Sequence, residues 1–181
     1  MRRSLIPILI LVFGFALLPP LLHNLFSPKL PPAVLRVSNI PRQLATFTFS
    51  DESERSHTLD DFHGKFILLN VWATWCPPCK EEMASLNHLA QIYEKKDLII
   101  MPISIDVSGT SAVRYFYKRL GLNELPIYLD PSKKVMDALR VTGIPTTLLI
   151  SRDGLEIARV VGAAQWDAPE SLQRISELVG Q

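Results

Sequence analysis

Cysteine is almost missing from this chain: two occur in 181 residues, Cys76 and Cys79. A scaffold stapled by several disulfides and a zinc site of four thiolates are both excluded. Charge of one sign is missing too, since 19 Lys and Arg stand against 18 Asp and Glu for a formal charge of +1. A dedicated nucleic-acid binder would need a strong basic excess. With 48% hydrophobic and 20% charged residues, the chain is not a disordered polyelectrolyte. No internal repeat and no low-complexity tract is visible. The length leaves room for one folded domain and an additional segment.

Formal charge is absent from Ser4 to Pro28, and fourteen of the eighteen positions in Leu5–Leu22 are Leu, Ile, Val, Phe or Ala. At about 1.5 Å per residue, eighteen helical residues span roughly 27 Å, just enough for a bilayer core. Residues 1–23 therefore read as a transmembrane helix. Arg2 and Arg3 lie on its N-terminal side, so the positive-inside tendency puts the rest of the chain outside the cytoplasm. A cleaved signal peptide would share the charged start, but the run ends Leu17-Leu18-Pro19-Pro20-Leu21-Leu22-His23 without an Ala-x-Ala pattern. Residues 24–43 carry Pro28, Pro31, Pro32 and Pro41 and read as an extended linker. The folded domain is expected over 44–181.

In that domain Phe66–Trp72 is a continuous apolar run of the kind found in a strand buried on both faces. Pro77 and Pro78 suit the first turn of a helix, with Met83, Leu86, Leu89, Ala90 and Tyr93 following at helical spacing. Leu98–Ile105 is a second buried strand, completing a βαβ unit that Asp106 closes. Further expectations are a helix over 110–120, a strand over 126–129, a helix near 133–139 and a strand over 146–150. A hairpin turn at Ser151–Gly154 leads to a strand over 157–161, and a last helix covers 169–179. Alternating elements with a terminal hairpin imply an α/β fold with a mixed sheet.

Trp75-Cys76-Pro77-Pro78-Cys79-Lys80 sets two thiols three positions apart where a buried strand gives way to a helix. The unsatisfied N–H groups and positive dipole end of that helix favour the thiolate of Cys76, which makes it the attacking nucleophile. Cys79, nearly one turn inside, is placed to resolve a mixed disulfide. The pair is expected to be exposed. Half of a zinc site reads the same way, but His23, His57, His63 and His88, the only histidines, show no paired ligand spacing. A purely structural disulfide remains open, although so short a loop stabilises little by chain entropy.

Val71-Trp72-Ala73-Thr74-Trp75-Cys76-Pro77-Pro78-Cys79-Lys80-Glu81-Glu82-Met83 resembles the active-site segment of the membrane-anchored, periplasmic thiol:disulfide interchange proteins of the TlpA and ResA type. The resemblance runs over residues 44–181. Val141-Thr142-Gly143-Ile144-Pro145-Thr146-Thr147 is similar to the family's loop in which a cis-proline faces the cysteines. Gly162-Ala163-Ala164-Gln165-Trp166 is similar to the TlpA branch. What the resemblance implies is a thioredoxin-like fold with a mixed central sheet, an N-terminal extension and an extra βα insertion. It further implies a redox-active Cys76–Cys79 disulfide, with no other cofactor and no metal. Glu82 matches the acid that this family places near the cysteines to handle protons. Trp75, Pro77, Pro78, Ile144 and Pro145 are the candidate substrate contacts. The implied partners are apocytochrome c or copper-site assembly proteins as disulfide substrates, and a membrane thiol donor of the DsbD or CcdA type. The implied setting is the bacterial cytoplasmic membrane, crossed once, with the C-terminal domain in the periplasm.

The residues around the thiols suggest a direction. No histidine separates the cysteines to supply a cation, and Glu81 and Glu82 follow in the first helical turns. Both acids oppose thiolate formation, with Lys80 offsetting part of the effect, so the pair is expected to be a reductant. Glu81 reads as a surface acid. Thioredoxin carries a buried Asp six residues before its first cysteine; here Asn70 stands there, so a buried proton acceptor would have to be Glu82. Trp72 reads as core, His57, His63 and His88 as surface or turn residues, and Asp51–Glu54 as a solvated loop. The alternatives are a disulfide oxidase or isomerase, or a tethered chaperone or adaptor with a structural disulfide. A peroxidase of similar fold would carry a lone peroxidatic cysteine in a Thr-x-x-Cys setting, which this pair lacks.

Overall fold

Every position from Ile67 to Trp72 is buried, including the polar Asn70, so this segment needs cover on both faces. The computed structural model describes residues 30–94 and 97–180. In chain order the elements are β1 (Arg36–Gln43), β2 (Phe49–Asp51), β3 (Ser56–His57), β4 (Phe66–Trp72), α1 (Pro77–Tyr93), β5 (Leu98–Ser104), α2 (Thr110–Leu120), β6 (Tyr128–Leu129), α3 (Lys134–Ala138), β7 (Thr146–Ile150), β8 (Leu155–Val161) and α4 (Pro169–Val179). The helix expected over 1–23 lies outside the described residues. Among the described residues no helix is long and apolar enough to cross a membrane.

The strands form one sheet of order β1-β8-β7-β4-β5-β6-β2-β3. β4 runs parallel to β5, from Phe66 opposite Leu98 to Trp72 opposite Ser104, and antiparallel to β7, from Ile67 opposite Ile150 to Val71 opposite Thr146. The sheet is mixed, as the alternation of elements implies, and the fold is the thioredoxin-like α/β arrangement. Leu68 and Leu69 of β4, Met101 of β5 and Leu148 and Leu149 of β7 are fully buried with Met83, Leu86 and Leu89 of α1. At about 1.5–3 kcal/mol for each large apolar side chain removed from water, this layer holds the sheet under α1. Two glycines set turns: Gly121 ends α2 at φ 65°, and Gly154 closes the β7–β8 hairpin at φ 78°.

Four expectations are corrected. Residues 24–43 were expected to be a linker, but 36–43 form β1, an edge strand antiparallel to β8. Ahead of it Ala33 and Leu35 are buried in the main core, and Pro32 bridges to Gln165. The prolines are compatible with this because Pro41 falls where the pairing register shifts, between Val37 and Arg42. The strand expected over 126–129 contracts to Tyr128–Leu129, and the helix near 133–139 to Lys134–Ala138. Asp51 does not belong to a solvated loop: it is buried at the end of β2 and accepts from the backbone N–H groups of Ser53 and Arg55 and from Arg55 Nε. The hydrogen bond with His57 at 3.1 Å, with those from Arg55 and Ser53, holds the Asp51 carboxyl down to about 2 against the opposing effect of burial.

Candidate active site

β4 ends at the buried Trp72, and the loop that carries the chain out to the exposed Trp75 is tied down before the cysteines begin. Asp106, buried just beyond β5, accepts from Thr74 N at 2.8 Å, Thr74 Oγ1 at 2.6 Å and Ser104 Oγ at 2.6 Å. Cys76 then caps α1 in an extended conformation. Pro77 and Pro78 occupy the first helical positions and have no N–H, so the first amide hydrogen of the helix belongs to Cys79. It donates to Cys76 Sγ at 3.3 Å, and the helix terminus thus delivers its donor and its dipole to that sulfur.

Cys76 and Cys79 form a disulfide with their Cα atoms 5.3 Å apart. The expectation of an exposed pair is corrected, because Cys76 retains 4% exposure and Cys79 none. Exposed instead are Trp75, at 58%, and Pro77 and Pro78. The Ile144–Pro145 peptide is cis, and Ile144 O lies 3.8 Å from Cys76 Sγ. Pro145 O is occupied by Gly162 N at 2.9 Å. Trp75, Cys76, Pro77, Pro78 and Ile144 thus meet at one surface, with Pro145 buried behind them. Trp72 is core, stacked on Tyr117 with ring centroids 5.8 Å apart.

Glu82, one turn beyond Cys79 on α1, is completely buried. Its Oε1 accepts from Asn70 Nδ2 at 2.8 Å, and its Oε2 from Ala164 N at 3.0 Å and Trp166 Nε1 at 2.9 Å. Burial pushes the carboxyl up to about 7, with the hydrogen bonds from Trp166, Ala164 and Asn70 opposing. Glu81 is exposed. Ser85 supports the same loop, donating to Glu82 O at 2.8 Å and accepting from Trp166 N at 3.1 Å. The sequence places Glu82 near the cysteines but does not announce the hydrogen bonds made by Asp106, Ala164 and Trp166. The available signals were an acid at the end of a buried strand and a tryptophan in an otherwise small-residue loop. Among the described residues no group of His, Cys, Asp and Glu is disposed to hold a metal ion.

This arrangement can exchange a disulfide with a partner at its surface while a buried acid stands behind the inner cysteine. The family model described as AhpC/TSA matches residues 40–157. The thiol-disulfide oxidoreductase ResA of Geobacillus kaustophilus is 33% identical over 161 residues, 89% of this chain and 85% of that protein. ResA of Geobacillus thermodenitrificans is 34% identical over 154 residues, 85% of this chain and 82% of that protein. The exposed lipoprotein thioredoxin Etrx1 of Streptococcus pneumoniae superposes with a TM-score of 0.62 at 25% identity, covering 74% of this chain and 99% of that one.

Proposed function

We propose, from the premise that the chain belongs to the AhpC/TSA family of thioredoxin-like proteins and is a thiol-disulfide oxidoreductase, that it works as a dithiol reductant of disulfides in exported proteins. The observation that carries this reading is the asymmetry of the pair. Cys76 keeps a little access beside the exposed Trp75, whereas Cys79 has none and sits one turn from the buried Glu82.

In the reduced protein the Cys76 thiolate attacks one sulfur of the substrate disulfide. A mixed disulfide forms and the other substrate sulfur leaves as a thiolate. Cys79 passes its proton to Glu82, attacks Cys76 Sγ and regenerates the Cys76–Cys79 disulfide, releasing the second substrate sulfur. Two electrons pass from the protein dithiol to the substrate, whose two sulfurs take up two protons from solvent, matching the one lost by Cys76 and the one that Glu82 takes from Cys79 and then releases. The Cys79 N–H at Cys76 Sγ favours the attacking thiolate, and Trp75, Pro77, Pro78, Ile144 and Pro145 receive the substrate segment.

Glu81 and Glu82 beside the pair, with no cation between the cysteines, support the reducing direction. The apolar charge-free run with Arg2 and Arg3 ahead of it supports a single-pass anchor that holds the domain in the periplasm. In that oxidising setting the dithiol needs recycling by a membrane thiol donor of the DsbD or CcdA type. The substrates we propose are apocytochrome c or copper-site assembly proteins. Cys79→Ala tests the attack order: Cys76 should remain linked to its substrate in an isolable mixed disulfide. No adduct under conditions where the native protein turns over would overturn it. A reduction potential nearer about −120 mV than about −270 mV would replace the reductant with an oxidase.

A further inference from the structure

The two oxygens of Glu82 are not equivalent. Oε2 meets two groups that can only donate, the Ala164 amide at 3.0 Å and the Trp166 indole at 2.9 Å. A proton on that oxygen would face both of their hydrogens. Oε1 meets the side-chain amide of Asn70 at 2.8 Å, and the same Asn70 nitrogen donates to Thr147 Oγ1, also at 2.8 Å. Asn70 is completely buried and its Oδ1 has no partner.

A proton on Oε1 that points toward Asn70 needs an acceptor where the Asn70 nitrogen now donates. Inverting the amide supplies one. Oδ1 then stands between Glu82 and Thr147, accepting from the acid, and the Thr147 hydroxyl, which can serve as donor or acceptor, turns to donate. Both contacts are kept. We propose that Asn70 is a positioning residue that serves Glu82 in both protonation states, inverting its side-chain amide as the proton arrives on Oε1 and reverting as it leaves. The inverted amide buries its own hydrogens without partners, so inversion follows protonation and reverses when the proton departs.

Few other groups can disturb this exchange. On α1, Lys80 and Glu81 are exposed and the disulfide cysteines do not titrate. From β4 and β7 the facing side chains, Asn70 and Thr147, are uncharged. Beyond Trp166, Asp167 is held by His88 at 2.9 Å and by Gln165.

The inference rests on Glu82 as the acid that takes the proton of Cys79, and its test separates the two. The intact protein in its disulfide form, labelled with ¹³C and ¹⁵N, is titrated by NMR between about pH 5 and about pH 9. The Glu82 carboxyl carbon and the Asn70 side-chain amide should titrate together with one midpoint, and Glu82→Gln should flatten the Asn70 response. Trp166→Phe keeps the ring and removes one donor from the carboxylate, so the shared midpoint should rise by about one pH unit. An Asn70 amide that stays flat while Glu82 titrates would overturn the proposal, as would two separate midpoints. If Glu82→Gln leaves the pH dependence of thiol-disulfide exchange unchanged, the catalytic reading of Glu82 fails, whatever the NMR result.

Discussion

Glu82 is buried among amides and an indole, and this sets the sign of its effect on stability. Its folded pKa, about 7, stands above the ordinary 4.5, so between these values the folded state binds more protons than the unfolded one. Its contribution is fully present below about pH 4.5 and is lost as pH rises through 7, on the order of 3 kcal/mol in all. Glu82→Gln cannot ionise and escapes that loss. Denaturant titrations at about pH 5 and about pH 8 should show the native protein losing more stability than the variant; an equal loss in both would contradict the buried ionisation. The cysteines and Pro145 were legible because each belongs to a short contiguous motif. The partners of Glu82 were not: Asn70, Ala164 and Trp166 lie 12, 82 and 84 positions away, and no local pattern announces a hydrogen bond made across the fold.

Elements differ in the same way. The expected β4, α2, β7 and α4 match the observed bounds because each is a continuous apolar run or a helical repeat bounded by proline or glycine. β3 and β6 have two residues each and exist only through their neighbours in the sheet. β1 shows no alternation because nearly all its side chains are exposed, yet β1 and the residues leading into it fix three things. Arg42 donates to the buried Glu156 and to Leu139 O, Ala33 and Leu35 enter the core, and Gln165 N donates to Pro31 O at 2.7 Å next to the Glu82 clamp. A chain shortened to begin at Leu44, the boundary expected from composition, should therefore lose stability by more than the ~1.5–3 kcal/mol of Leu35 burial alone. Its urea midpoint should fall, and an unchanged midpoint would mean that the strand only decorates the edge.

At the scale of the molecule, what matters is how little of the fold depends on the bond that must open and close. The Cys76–Cys79 bridge spans three positions at one end of α1, while an eight-stranded sheet and a core drawn from every helix carry the structure. The chain-entropy estimate for so short a loop is about 2 kcal/mol. In a domain of this size that corresponds to a fall in Tm of roughly 4–8 °C on reduction. Donation from Cys79 N–H to a Cys76 thiolate offsets part of that loss. Thermal melts with and without dithiothreitol, followed by far-UV circular dichroism, should therefore show the same folded baseline and a shift no larger than this. Loss of the folded baseline on reduction would make the disulfide structural, and the tethered adaptor would then replace the redox enzyme.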